Sequence, residues 1–143
     1  MVRTMRADDL DAVMRIWLEA NLRAHDFIKA SYWREHCADV RNAIARAEVR
    51  VYVQKQRVLG FVGLHDTLIE GLFVQPDQCG MGIGKALLDA AKKENGHLML
   101  HVYEKNQRAL RFYSREGFRI QSRRVDSDTG ESEFVMSWNS CAL

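Results

Sequence analysis

The sequence predicts an α/β protein of the α+β type: a mostly antiparallel central sheet of about seven strands with helices on both faces. Three observations carry that expectation. Apolar residues switch along the chain between helical spacing and strict alternation. The candidate segments run β-α-α-β-β-β-α-β-α-β-β, without the regular alternation of a doubly wound parallel sheet. The three central strands follow one another through short connections, as in an antiparallel meander. The 143 residues suit a single domain, residues 1–143, around one core.

Residues 1–6 read as a short strand. In ADDLDAVMRIWLEA, Leu10, Val13, Trp17 and Ala20 share one helical face, and Asp8 or Asp9 stands where a cap belongs. The connector NLRAHDFIKA leads into a second helix, SYWREHCADVRNAIARA, with Ser31 as N-cap and Trp33, Cys37, Val40 and Ile44 on one stripe. The period then changes. EVRVYVQK places Val49, Val51 and Val53 on one side, and RVLGFVGLH and TLIEGLFVQ also read as strands. The stretch QCGMGIGKALL opens a helix over Ile83–Glu94, which Asn95-Gly96 ends. HLMLHVY reads as a buried strand and NQRALRFYSREG as a helix closed by Gly117. FRIQSRRV and ESEFVMSW form a final hairpin around DSDTG.

Composition narrows the function. Hydrophobic residues make up 47% and charged residues 28%, as in globular domains. A net charge of +2, with basic residues scattered apart from Arg123-Arg124, argues against a nucleic-acid partner. Cys37, Cys79 and Cys141 form no CxxC pair, so neither a disulfide framework nor a zinc knuckle is expected. His97 and His101 have the i,i+4 spacing of metal ligands on a helix, but on a strand they would lie ~13 Å apart, and no metal is expected. MVRTMRADDL lacks the apolar core of a signal peptide, and no run approaches the length of a membrane span. The expectation is a cytoplasmic protein without an anchor, a monomer or homodimer.

The glycine stretch carries the chemistry. Strand, glycine turn and helix together present backbone N–H groups to an anion, and the helix N-terminus adds partial positive charge. Lys85 stands in the first helical turn, where a cation is disfavoured unless an anion is near. A nucleotide P-loop would need glycine at 79 and Ser or Thr at 86, where the chain has Cys79 and Ala86. The dinucleotide GxGxxG fails too, because Lys85 stands where its third glycine belongs. A turn that merely connects strand to helix is the alternative.

Downstream, VYEKNQRALRFYSREGF places Asn106 and Tyr113 on nearly one helical face, roughly 10 Å apart. Asn106 alone reads equally as a helix cap, and Tyr113 alone as a core residue. Glycine loop, asparagine and FYSREGF in this order resemble the GNAT superfamily of acetyl-CoA-dependent N-acetyltransferases, in particular its small bacterial members. CGMGIGKALL matches the family motif [RQ]-x-x-G-x-[GA], except that Cys79 stands at the first position and Gln78 one step early.

The resemblance implies acetyl-CoA as co-substrate and an amine acceptor. Cys79, Gly80, Met81, Gly82, Ile83, Gly84 and Lys85 would wrap the pyrophosphate, and Leu72, Phe73 and Val74 would pair their backbone with the pantetheine arm. Asn106 would lie along the same arm. Tyr113 matches the family tyrosine that protonates the leaving thiolate. His101 stands where related N-terminal acetyltransferases carry a glutamate, and is a candidate general base; Glu70 is the second. His25, Phe27, Tyr32 and Trp33 fall on the stretch AHDFIKASYW, which would line the acceptor entrance. A lysine amine sits ~3.4 units above pH 7 and needs roughly 4.6 kcal/mol to deprotonate, an α-amine about 1.4 kcal/mol. A mild base such as His101 would therefore suit an α-amine more readily. The rival expectation is an acetyl-CoA-binding sensor with little or no catalysis. A toxin acting on aminoacyl-tRNA would be expected to show a broader basic face.

Overall fold

The structure, a computed structural model, describes residues 1–140. The strands are β1 (Val2–Thr4), β2 (Glu48–Gln54), β3 (Arg57–His65), β4 (Leu68–Val74), β5 (His97–Tyr103), β6 (Arg119–Val125) and β7 (Ser132–Asn139). The α-helices are α1 (Leu10–Ala24), α2 (Ala30–Glu35), α3 (Cys37–Arg46), α4 (Ile83–Glu94) and α5 (Gln107–Arg115). Short 3-10 turns at Ala7–Asp9 and Pro76–Gln78 precede α1 and the glycine loop.

The expected order holds, with local corrections. The first strand is shorter than residues 1–6. Asp9 occupies the position before α1, yet its carboxylate does not cap that helix. It accepts from Arg6 N (2.7 Å) and takes the Arg3 guanidinium through both oxygens, at 2.7 and 3.0 Å. Those bonds to Arg3 hold the Asp9 carboxyl below the usual carboxylate range. The expected helix after the connector is two helices. At the break Tyr32 O accepts from His36 N at 3.2 Å with His36 Nδ1 2.6 Å away, and Cys37 Sγ donates to Trp33 O at 3.5 Å. Ser31 is not its cap, because the helix starts one residue earlier, behind Lys29.

One sheet runs β1-β2-β3-β4-β5-β7-β6. Every neighbouring pair is antiparallel except β4 and β5, which are parallel and joined through the glycine loop and α4. The faces carry two cores. On one, Ile83, Leu87, Leu88 and Ala91 of α4 and Leu110 and Tyr113 of α5 pack on Leu59, Val62, Leu64, Ile69, Leu98, Leu100 and Val102. On the other, Val13, Met14, Ile16 and Trp17 of α1, Trp33 of α2 and Ile44 of α3 cover Val49, Val51 and Phe61. The period-2 alternation of β5 thus feeds one core with its even residues and leaves His97, Met99, His101 and Tyr103 on the other face.

Gly60 lets α4 approach β3 closely. A Cβ there would stand 2.9 Å from Phe73 O, 3.0 Å from Ile83 Cγ2 and 3.1 Å from Leu87 Cδ1. Backbone and buried helix atoms cannot give way cheaply, so Gly60→Ala should destabilise the fold by about 1–3 kcal/mol. A urea titration comparing the two proteins checks this, and an unchanged midpoint would contradict the close packing.

Candidate active site

The glycine loop leaves its amides open. Gly80 and Gly82 adopt φ of +85° and +80°, the left-handed region that favours glycine. A Cβ at either would meet nothing within 4 Å, so backbone conformation alone selects glycine here. Gly82 is the residue before α4, and the first bond of that helix runs from Ala86 N to Gly82 O at 3.0 Å. The preceding N–H groups of Ile83, Gly84 and Lys85 have no carbonyl one turn back and are free to meet an anion. Met81 is 72% exposed at the tip, and Cys79 is exposed with a free thiol. Cys37 is also free, and Cys141 lies outside the described residues. The anions near Lys85 prove to be internal. Its ammonium pairs with Glu116 at 3.0 Å and Asp89 at 3.5 Å, and the bond to Glu116 raises its pKa.

Beside this loop the sheet opens. β4 and β5 pair only at Leu68↔Met99 and Ile69↔Leu100. Pairing ends one residue before a bulge: Leu64 faces Ile69 and Gly63 faces Gly71, so Glu70 is the extra residue. A bulge bends its strand, and here it coincides with the parting of the two strands. Beyond it, Leu72, Phe73 and Val74 pair with β3 but have no β5 partner. Their backbone edge is open to an extended ligand arm, as the pantetheine reading requires. Glu70 is exposed, and among the described residues its carboxylate makes no hydrogen bond or ion pair.

Tyr113 stands on α5 with its ring held edge-on by Phe112 and Phe118, at centroid distances of 5.1 and 5.5 Å. Burial raises its pKa, so the phenol keeps its proton at neutral pH. Among the described residues its hydroxyl takes part in no hydrogen bond.

Asn106 does cap α5, accepting from Ala109 N at 3.2 Å. Its amide nitrogen lies 3.1 Å from His25 Nε2, and His25 Nδ1 lies 3.0 Å from Asn21 Oδ1. Asn21 in turn donates to Trp17 O at 2.8 Å. His25, a candidate acceptor contact by sequence, is thus only 9% exposed, with both ring nitrogens engaged. Aromatic rings surround it: Trp33 stacks at 5.4 Å, and Phe27 and Tyr103 meet it edge-on at 5.6 and 5.1 Å. Tyr32 stands edge-on to Trp33 at 5.0 Å. Trp33 Nε1 is the one buried side-chain nitrogen or oxygen among the described residues without a partner.

His101 is exposed on β5, with Nδ1 3.2 Å from Arg124 Nη2. Arginine only donates, so Nδ1 accepts and the ring carries its hydrogen on Nε2. Arg124 is itself paired with the buried Glu133. Two residues on, Tyr103 donates to Asp126 Oδ2 at 2.6 Å. Burial and this bond push the Tyr103 phenol up. Asn21, Tyr103 and Asp126 went unread in the sequence, and Arg124 stood out there only for its charge beside Arg123. Only Asn21 offered a local signal: a polar residue on the apolar side of α1, one turn before His25.

Loop, parted strands and capped helix together leave room for an extended anionic ligand. The chain matches the acetyltransferase (GNAT) domain family over residues 45–120. It belongs to the GNAT family and is an N-acetyltransferase. It is 38% identical to the peptidyl-lysine N-acetyltransferase YiaC of Escherichia coli K12 over 140 residues, 96% of each chain. It is 30% identical to the peptidyl-lysine N-acetyltransferase YjaB of the same strain, over 91% of this chain and 89% of that one. The solution structure of apo YjaB from E. coli superposes with a TM-score of 0.87, covering 96% of both chains. The PaiA N-acetyltransferase of Thermoplasma acidophilum, solved in complex with coenzyme A, shares the fold with a TM-score of 0.78 at 21% identity, covering 97% of this chain and 98% of that one.

Burial depresses His25 from its ordinary 6.5 to about 4, against the opposing charge of Asp26. Between those values the unfolded chain binds a proton that the folded chain refuses. The His25 contribution is therefore fully present above the unfolded value and lost as pH falls towards about 4, by roughly 3 kcal/mol. Unfolding free energies measured across that window should show this slope, and His25→Phe should flatten it. An equal slope in both proteins would place the effect elsewhere.

Proposed function

We propose that the chain moves the acetyl group of acetyl-CoA to a primary amine, with the side chain of a peptide or protein lysine as acceptor, by direct attack within a ternary complex. The observation that carries this is the open β4 edge at Leu72–Val74 beside the free amides of the glycine loop. The pyrophosphate would lie on Cys79–Lys85 and the pantetheine arm along Leu72, Phe73 and Val74, with Asn106 beside it. Acetyl-CoA supplies an activated thioester when bound. A backbone N–H of β4 would donate to its carbonyl oxygen as negative charge develops there. Holding the amine in line contributes through orientation. Tyr113 Oη, protonated and otherwise unpaired, would hand its proton to the departing sulfur. The lysine acceptor follows the named activity of the relatives at 38% and 30% identity. Phe27, Tyr32 and Trp33 would form the acceptor wall. The setting is cytoplasmic, and the working form a monomer or homodimer.

Glu70 is the better general base. A lysine ammonium must lose a proton before it attacks, and Glu70 carries a free carboxylate at the bulge. His101 has its lone pair directed at Arg124 and presents an N–H instead. The preference for an α-amine, which rested on His101 as base, weakens accordingly.

Free-thiol release from acetyl-CoA, with lysine peptides as acceptor, tests the transfer. Tyr113→Phe should depress turnover roughly 100-fold while acetyl-CoA affinity stays within a few-fold of wild type. Binding without release from any amine would favour the sensor.

Glu70→Gln should slow lysine acetylation near neutral pH by a similar factor, with the deficit shrinking as rising pH deprotonates the amine unaided. His101→Ala should stay within a few-fold of wild type. The opposite pattern in the two pH profiles would make His101 the base.

A further inference from the structure

Asn106 is held from outside its own helix, and the hydrogen bonds around it allow one arrangement only. Its Oδ1 accepts from Ala109 N, so its amide nitrogen must face His25. At the other end, Asn21 gives its amide N–H to Trp17 O, so its oxygen faces the ring. His25 therefore accepts at Nε2 and donates at Nδ1. It is neutral and of the Nδ1–H tautomer. A second ring proton would point at the N–H of Asn106. Each amide orientation is anchored by a backbone group, so the two ends of the chain agree independently.

From this network we infer that His25 is a positioning residue for the transfer site: it fixes the Asn106 side chain and the first turn of α5 against α1. The inference rests on the reading of Asn106 as a cofactor-side residue. Packing alone does not explain the arrangement. A phenylalanine would serve the rings of Phe27, Trp33 and Tyr103 equally well, whereas burying an imidazole against an asparagine that is 2% exposed is unfavourable unless every bond is made. Nor does His25 suit an acceptor contact, since neither ring nitrogen is left over. What the network achieves is orientation. With one N–H on His25 and Oδ1 on Ala109, the Asn106 amide cannot flip. Its second N–H and remaining lone pair keep one direction before any ligand arrives, which is preorganisation. Rings of the proposed acceptor wall pack directly on the residue that sets this direction.

Two measurements on the full chain test the inference. Two-bond proton–nitrogen NMR spectra of ligand-free, nitrogen-15-labelled wild type should show His25 as the Nδ1–H tautomer, without titration through neutral pH. A ring found as the Nε2–H tautomer, or charged near neutral pH, overturns the inference without any cofactor or variant. The second measurement is a double-variant cycle. His25→Phe should weaken acetyl-CoA binding about tenfold by calorimetry and raise its KM equally, while the acceptor KM holds, as expected when a buried amide loses its partner. Asn106→Ser keeps the helix cap but removes the N–H that His25 accepts. The double variant should bind no more weakly than the weaker single one, and His25→Gln should recover most of the loss. Multiplying effects, or a change confined to the acceptor KM, would overturn positioning through Asn106. If wild type binds acetyl-CoA and His25→Phe binds equally well, only this inference fails. If wild type does not bind it, the cofactor reading fails and this inference with it.

Discussion

The structure depends on the parting of β4 from β5. Two parallel neighbours in one sheet would ordinarily satisfy each other along their length. Here they do so at Leu68 and Ile69 only, and Glu70 then enters β4 as an unpaired residue. The bend releases the backbone edge of Leu72–Val74, a row of donors and acceptors in an otherwise covered region. Exposed strand edges are a liability unless something covers them. On the proposed function a ligand arm would cover this edge, with its phosphates on the glycine loop at the end of β4. The same bulge presents Glu70, so one irregularity opens the cleft and aims a carboxylate beside it.

Elements on the two faces hold this opening in shape. α4 lies tightly on β3 because Gly60 has no side chain, and it starts where Gly82 turns the chain with positive φ. α5 is anchored at both ends. Asn106 caps it and reaches across to His25, while Gly117 ends it with φ +93° and Phe118 N returns to Tyr113 O at 2.9 Å. Lys92 adds a bond to Glu116 O at 2.6 Å, tying α4 to the end of α5. Tyr113 is therefore carried by a helix with both termini fixed.

Charge around the site is largely settled within the chain. Lys85 is answered by Glu116 and Asp89, Arg124 by Glu133, Arg123 by Glu104 and Lys105 by Glu131. The loop thus offers an anion its backbone dipoles rather than a free lysine. Exposed pairs of this kind contribute little stability. Their effect is to spend the basic side chains on one another.

Much of this could be read from residues in sequence. Periodicity located the strands of the meander, α4 and α5, because burying one face of a strand or helix imposes its spacing on neighbouring positions; β6, exposed along its whole length, carries no such signal and is placed by the turn DSDTG. The glycines at 80 and 82 declared themselves because only they accept that backbone conformation, and the order of loop, asparagine and tyrosine indicated the family. Tertiary structure alone decided the rest. That His25 turns inward to Asn106, 81 residues away, depends on α1 and α5 meeting, and no local pattern records it. That His101 is occupied depends on Arg124 arriving across β7. The stop in β4–β5 pairing depends on a bulge that one strand of sequence does not reveal. Local spacing is dictated by which face must be buried; the partner of a buried polar atom is decided only when distant segments close around it.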